Sequence, residues 1–444
     1  MAEKLALLGG PRAVDTNLTT QIPIVAPAAY KTINDMMIKG EISSSPIVEK
    51  FEKKFCEYIG VKYSLCCNNG TTTIQDALFA VGVGAGDEVI VPSFTFWASA
   101  GPVAAVNAVP VFADIDEDTQ TVTAQTIERC ITKKTKAIVV VHVWGNPCDM
   151  DPIMELAKAR GIKVIEDCSH AHGAKYNGKM VGSIGDVGCF SMQGSKLLAA
   201  GEGGVMVTNS REYYERACAL GHYERLPWLP DDSPYKKYAL TGFGYKHRIH
   251  PFAAAIADAA LDRLDELNRI RTENAEYLEE LLSDVGYIKF LKSFDKAQRV
   301  YGYNYVQYLP EKLGGISTFT LLKALSEEGV CCGSCGYGKL HLSPFYNGEG
   351  PYGHGCPFDC PHYGEKYLPA RKLEVTEKLA DTAFMIAPRF ETEDKEVVRQ
   401  YAAAYRKILD NLEELVNYEI DNGLVAKKVE NYGSSINIFE EEDK

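Results

Sequence analysis

No apolar stretch in this chain approaches the roughly 18 residues that a membrane-crossing helix requires, so no spanning segment is expected. Its first residues, MAEKLALLGGPRAVD, carry both charge signs and break at Gly9, Gly10 and Pro11 before an apolar segment of useful length forms. No secretory leader is therefore expected, and a cytoplasmic location is. Positive charge is also in short supply: 47 Lys and Arg stand against 60 Asp and Glu, a net charge of −13. This argues against a general nucleic-acid binder, which needs a basic face to displace counterions. It also means that any phosphate must be held by local donors: backbone amides, hydroxyls and one or two cations. No fixed-period repeat and no low-complexity tract is present.

What is present suits a globular enzyme of two parts. A chain of 444 residues exceeds one compact core, and 46% hydrophobic with 24% charged residues is ordinary for a soluble protein. The thirteen cysteines are an odd count, scattered through apolar contexts and then clustered late, which favours free thiols. From Gly60 onward, strand-like runs (DEVIVP, VPVFADI, AIVVVHVW, KVIEDC, GCFSM, GVMVTN) alternate with helical ones such as TTIQDALFAVG and DPIMELAKARG. That alternation predicts βαβ units and a largely parallel sheet covered by helices on both faces. The expected organisation is an N-terminal arm over 1–40 with one helix in AAYKTINDMMIKG, a large α/β domain over 41–265, and a smaller α+β domain over 266–416. The last holds a Cys-rich insert at 331–363 and is followed by a loosely ordered tail over 417–444. From Pro251 an uninterrupted helical pattern, FAAAIADAALDRLDELNRIRTENAEYLEELL, is long enough to bridge the two domains.

Three short segments carry chemistry. VGCFSMQGSKLLAAGEGGVMVTN seats Lys196 between apolar runs and just before a Gly-rich turn; an amine so placed is a surface charge or a Schiff-base nucleophile. KVIEDCSHAHG is a β-rich run ending abruptly in carboxylates, as a strand that delivers an acid to the mouth of an α/β sheet ends. Because side chains alternate across a strand, only one of Glu166 and Asp167 can point into such a site. CNNGTTT is a small polar turn entering a helix, where backbone amides receive an anion. A phosphate-cradling turn, a ring-directed carboxylate and a lysine, in that order, are the parts needed to hold and use pyridoxal phosphate.

Together with GEISSSPIVEKFE, GAGDEVIVPSFTFWASA, NAVPVFADID, TKAIVVVHVWG and GYKHRIHPFAAAIA, these segments resemble the DegT/DnrJ/EryC1/StrS family of sugar and cyclitol aminotransferases. The resemblance is dense from about Gly40 to Leu264 and implies fold type I: a mostly parallel seven-stranded sheet between helices, with a smaller α+β C-terminal domain. It implies pyridoxal 5′-phosphate held as an internal aldimine on Lys196, with Asp167 on the pyridine nitrogen and His170 at the ring or its 3-hydroxyl. It implies phosphate contacts from Gly70, Thr71 and Ser191, with Asn69 standing where the family carries Ser. Phe96 falls where the family stacks an aromatic ring on the cofactor, while its neighbour Trp97 reads as core.

In the segment from Gly244 to Arg248, Lys246 replaces the family's Asn, which reaches the partner's phosphate. The implied assembly is a homodimer with shared active sites. The implied reaction moves an amino group from L-glutamine or L-glutamate to a keto-cyclitol of the inosose type, by a ping-pong route through pyridoxamine phosphate. The MQGSK, YKHRIHP and GCPFDCP details resemble that subgroup, and a nucleotide-linked keto-sugar is the alternative acceptor. Related sugar dehydratases have His where this chain has Lys196, and a complete residue set argues against an idle cofactor binder. In the insert, Cys332-x-x-Cys335 and Cys356-x-x-x-Cys360, with His354 and His362 nearby, have spacings compatible with tetrahedral zinc. Their Gly- and Pro-laced contexts favour no metal. His341, in KLHLSPFY, matches a segment that lines the sugar site in the family and is a candidate substrate contact.

Overall fold

The computed structural model describes residues 3–18, 22–347, 352–364, 367 and 371–424. A seven-stranded sheet is built from β1 (Tyr63–Cys67), β2 (Glu88–Pro92), β3 (Val109–Ala113), β4 (Thr135–Val141), β5 (Lys163–Asp167), β6 (Val187–Ser191) and β7 (Gly204–Thr208). Its order is β1-β7-β6-β5-β4-β2-β3. The pairs from β6 to β3 are all parallel, and only β7 runs against its two neighbours, β1 and β6. The middle strands are apolar without alternation, Ile138, Val139 and Val140 being fully buried, as a sheet covered on both faces requires. This is the fold-type-I architecture read from the sequence.

Register brings distant segments to one edge. Cys67 and Ser191 both pair with Gly204, which places the turn after β1 beside the end of β6, and Asp167 pairs with Cys189 one strand further on. The carboxyl ends of parallel strands are where an open α/β sheet binds ligands. The turn after β1 leads into α3 (Gly70–Ala80), preceded by α1 (Pro27–Lys39) and α2 (Pro46–Ile59).

The single bridging helix expected from Pro251 is instead two, α4 (Pro251–Leu261) and α5 (Leu264–Leu281). Arg263 leaves helical geometry between them and donates to the carbonyls of Pro23 and Ile24 at 2.6 and 2.8 Å, while Asp262 pairs with Lys54 at 2.7 Å. Contacts to earlier segments thus interrupt a run whose local pattern carries no stop. An antiparallel sheet follows, ordered β8 (Ile288–Lys289), β9 (Asn304–Tyr308), β11 (Ala383–Ala387), β10 (Gly333–Ser334), with its own apolar cluster around Val306, Phe384 and Tyr405.

The expected loose tail begins late. Residues through Asp421 are helical in α6 (Leu412–Asp421), where buried Glu419 accepts from the Ser317 amide and the Ser317 and Thr320 hydroxyls at 2.5 to 2.8 Å. Residues 425–444 lie outside the described residues. All thirteen cysteines are free thiols.

Candidate active site

Asp167 closes β5, and strand alternation sorts the two adjacent carboxylates as expected. Glu166, fully buried, turns to one face, where it accepts from the amides of Gly182, Ile184 and Gly185 at 2.6 to 2.8 Å and meets His142 Nε2 at 3.1 Å. Asp167 takes the other: its Oδ2 accepts from the Ser99 hydroxyl at 2.7 Å and its Oδ1 from the Ser169 amide at 3.1 Å. Thr95 Oγ1 lies 3.0 Å from Ser99 Oγ, so a short hydroxyl relay holds the carboxylate still. Ser99 lies inside PSFTFWASA but had no role assigned by sequence.

Asn69 caps α3, its Oδ1 accepting from the Thr72 amide at 2.8 Å. The first amides of the helix, those of Gly70 and Thr71, have no intrahelical acceptor and carry the positive end of the helix dipole. Gly70 lies directly against Ser191: a Cβ at that position would fall 2.5 Å from Ser191 Cβ. Turn and hydroxyl therefore form one cradle, with Thr71 exposed beside it.

Lys196 projects its Nζ over the Tyr303 ring, 5.4 Å from the centroid. Tyr303 in turn packs on His170, with centroids 4.3 Å apart, and His170 Nε2 lies 3.1 Å from the Tyr337 hydroxyl. Burial, reinforced by the charge of Lys196, drives His170 well below the usual histidine pKa, so the ring is neutral. The Trp144 amide donates to Nδ1 at 3.3 Å, which leaves the proton on Nε2, donated to Tyr337. Arg389 Nη1 donates to the carbonyls of Ser195 and Lys196, both at 3.1 Å, and fixes the backbone beneath the lysine. Nearby His172 is buried with neither nitrogen in a hydrogen bond of good geometry, and burial, only partly offset by the Ser191 backbone, pushes its pKa down to about 3. Tyr303, Tyr337, Trp144 and Arg389 reach this site from separate, distant segments, and no local motif announces them.

Other sequence expectations fall elsewhere. Phe96 is half-buried with Trp97 against it, centroids 4.0 Å apart. Trp97 is not core: it is 53% exposed at the start of a short turn, and the aromatic that enters the interior is Phe94, edge-on to Trp144 and Tyr337. Lys246 is exposed, its backbone bridged to His222. His341 is not brought to this group; it is fully buried, with Nδ1 2.7 Å from Ser93 Oγ and Nε2 3.3 Å from Glu377. The zinc spacing of the insert is not realised either. Among the described residues Cys332, Cys335, Cys356 and Cys360 join no metal-holding group, and the first two thiols donate to the carbonyls of Leu322 and Tyr337.

Residues 24–397 match the model of the DegT/DnrJ/EryC1/StrS aminotransferase family. The chain belongs to this family. Over 424 residues it is 34% identical to a Micromonospora echinospora protein provisionally named L-glutamine:3-amino-2,3-dideoxy-scyllo-inosose aminotransferase, covering 93% of this chain and 98% of that one. It is 40% identical over 306 residues to the L-glutamine:2-deoxy-scyllo-inosose aminotransferase of Streptomyces kanamyceticus, covering 67% and 70% of the two chains. The crystal structure of an aminotransferase from Psychrobacter cryohalolentis matches with a TM-score of 0.79 at 28% identity, covering 89% of this chain and all of that one.

DegT/DnrJ/EryC1/StrS aminotransferases use pyridoxal phosphate, and this chain is a pyridoxal-phosphate-dependent transaminase. Its residues fit that group. The Gly70–Ser191 cradle, too tight for any Cβ, offers helix amides and a hydroxyl to a phosphate; Asp167 offers a fixed carboxylate; Lys196 offers an amine.

Proposed function

We propose that this enzyme moves the amino group of L-glutamine, or of L-glutamate, onto the keto group of a cyclitol of the inosose kind, donor and acceptor using one site in turn. The observation that carries the chemistry is the continuous set of contacts from Lys196 through Tyr303 and His170 to Tyr337, beside a buried Asp167. The choice of acceptor follows the inosose aminotransferases that the chain resembles over most of its length.

Pyridoxal phosphate supplies an aldehyde that carries the amino group and a ring that accepts an electron pair. In this reading, Gly70, Thr71 and Ser191 bind its phosphate, and Asp167 holds a proton on the ring nitrogen. Lys196 would hold the aldehyde through its amine and would serve as the general base and acid that moves a proton between carbons. His170 orients the 3-hydroxyl edge, kept neutral and aimed by Trp144 and Tyr337. Phe96 would cover the ring and exclude water. Lys246 reaches the phosphate site of a second copy, which makes the active unit a homodimer. The exposed apolar side chains of its own segment, Phe243 stacked on Tyr245 and Tyr245 on His247, suit burial against that copy. His341 then acts on substrate only through the packing of its segment.

The test is to supply the holoenzyme with glutamine and with glutamate and to measure 2-oxo acid release. Keto-cyclitols and nucleotide-linked keto-sugars are offered next. Amination of a keto-cyclitol is expected; amination of nucleotide-linked sugars alone would replace the acceptor assignment, and no oxo acid from either donor would contradict aminotransfer.

A further inference from the structure

Beside the phosphate turn lies a second polar cluster that the proposed chemistry does not use. Cys67 ends β1, Asp76 lies on α3 two turns into the helix, and His222 follows the helix Arg211–Gly221; all three side chains are fully buried. Cys67 Sγ is 3.3 Å from Asp76 Oδ2 and 3.7 Å from His222 Nε2, and those last two atoms are 3.7 Å apart. A triangle of these sides has its centre about 2.1 Å from every corner, which suits zinc bonds to nitrogen and oxygen, and a point slightly off centre, away from the sulfur, lengthens that contact toward the roughly 2.3 Å of a zinc–thiolate bond. The three candidate ligand atoms thus lie within 3.7 Å of one another, although without an ion the contact between Cys67 and Asp76 is a thiol-to-carboxylate hydrogen bond.

The surroundings match as well. Metal-bound imidazoles commonly present their far nitrogen to a carboxylate. His222 Nδ1 lies 3.5 Å from Glu224 Oε1 and has no hydrogen bond of its own, and Asp76 Oδ1 accepts from His247 Nδ1 at 2.8 Å. A thiolate and a carboxylate together balance a divalent ion, which removes the cost of burying either charge alone.

We propose that Cys67 Sγ, Asp76 Oδ2 and His222 Nε2 bind a divalent cation of the zinc class. The mixed sulfur, nitrogen and oxygen set selects zinc over magnesium or calcium, which favour oxygen alone. Its role is structural. The ion pins the phosphate turn to the segment bearing Lys246, because Cys67 bridges Arg248, His222 bridges Lys246, and the Asn68 amide donates to the His247 carbonyl at 2.6 Å.

The experiment measures metal content of the holoenzyme purified without chelator from zinc-supplemented cells, together with cobalt substitution. Stoichiometric zinc is expected, with a thiolate-to-cobalt absorption band in the cobalt form. Cys67→Ser and His222→Gln should lose both while remaining folded by circular dichroism. A variant with serine at Cys332, Cys335, Cys356 and Cys360 should retain both, which separates this cluster from the late cysteines. Substoichiometric zinc in folded wild-type protein that zinc addition neither fills nor stabilises against heat would overturn the proposal. So would full zinc retention by both Cys67→Ser and His222→Gln. Neither result bears on aminotransfer, which is read by a separate assay.

Discussion

The lysine end of the central sheet and the cysteine-rich segment both carry suggestive spacing, yet the fold treats them oppositely. At the first, Gly70, Asp167 and Ser191 each sit at or just beyond a strand end, and strand register draws them to one edge. At the second, four cysteines spaced like zinc ligands join no metal-holding group among the described residues, only Cys356 and Cys360 meeting each other, and the segment instead serves as packing: Tyr346 lies against Phe112 at 4.9 Å and the Tyr363 hydroxyl donates to Glu88 at 2.7 Å. Spacing along a chain reports chemistry only where backbone geometry converts it into proximity. The converse holds for Cys67, Asp76 and His222, which meet without any shared motif.

The largest break in this comparison should come from Lys196→Ala. Losing both nucleophile and proton carrier is expected to lower kcat by about 10²- to 10⁴-fold or more, the range for positioned acid–base groups, measured by oxo-acid release. Equal mixing of that variant with Lys246→Ala should regain activity if the site is shared between copies, because hybrid dimers hold one intact site. Persistent inactivity of the mixture would confine each site to one chain.

Acid sensitivity comes next. His170 and His172 are neutral when folded, with pKa values depressed below those of the unfolded chain, so the unfolded state binds more protons below about pH 6.5. The stability they contribute is present above that pH and is lost as pH drops, for His172 by roughly 1.4 kcal/mol per unit down to its folded pKa of about 3. His172→Leu should therefore flatten the fall in melting temperature between pH 7 and 5. An unchanged slope would mean that His172 finds a proton acceptor when folded.

Tyr337→Phe sharpens the comparison further, since it tests what the cysteine-rich segment lends to the lysine end. Loss of one hydrogen bond to neutral His170 should cost about 2- to 10-fold in kcat/KM, equivalent to roughly 0.5–1.5 kcal/mol. The smallest effect belongs to serine at Cys356 and Cys360, with activity changed by less than about 2-fold, in line with surface substitutions.

Much of this was legible in the chain. The alternation of apolar runs and helical patterns specified the parallel sheet, and the order of turn, carboxylate and lysine specified the site edge. Strand alternation put Asp167 and Glu166 on opposite faces, and the family resemblance chose Asp167 between them. What escaped were interactions between distant segments. The break at Arg263 depends on carbonyls of Pro23 and Ile24; the exposure of Trp97 depends on Phe94 having taken the interior position; the aromatic chain of Trp144, Tyr303 and Tyr337 is assembled from three distant pieces. The extension of helix to Asp421 rests on Glu419 meeting Ser317 and Thr320, a contact no local window contains.

The central claim is that one amine, that of Lys196, binds the cofactor covalently. Borohydride reduction of the holoenzyme, followed by proteolysis and mass mapping of peptides, tests it most directly. The cofactor's added mass is expected on the peptide containing Lys196; the same mass on another lysine, or on none in a yellow and active preparation, would contradict that assignment.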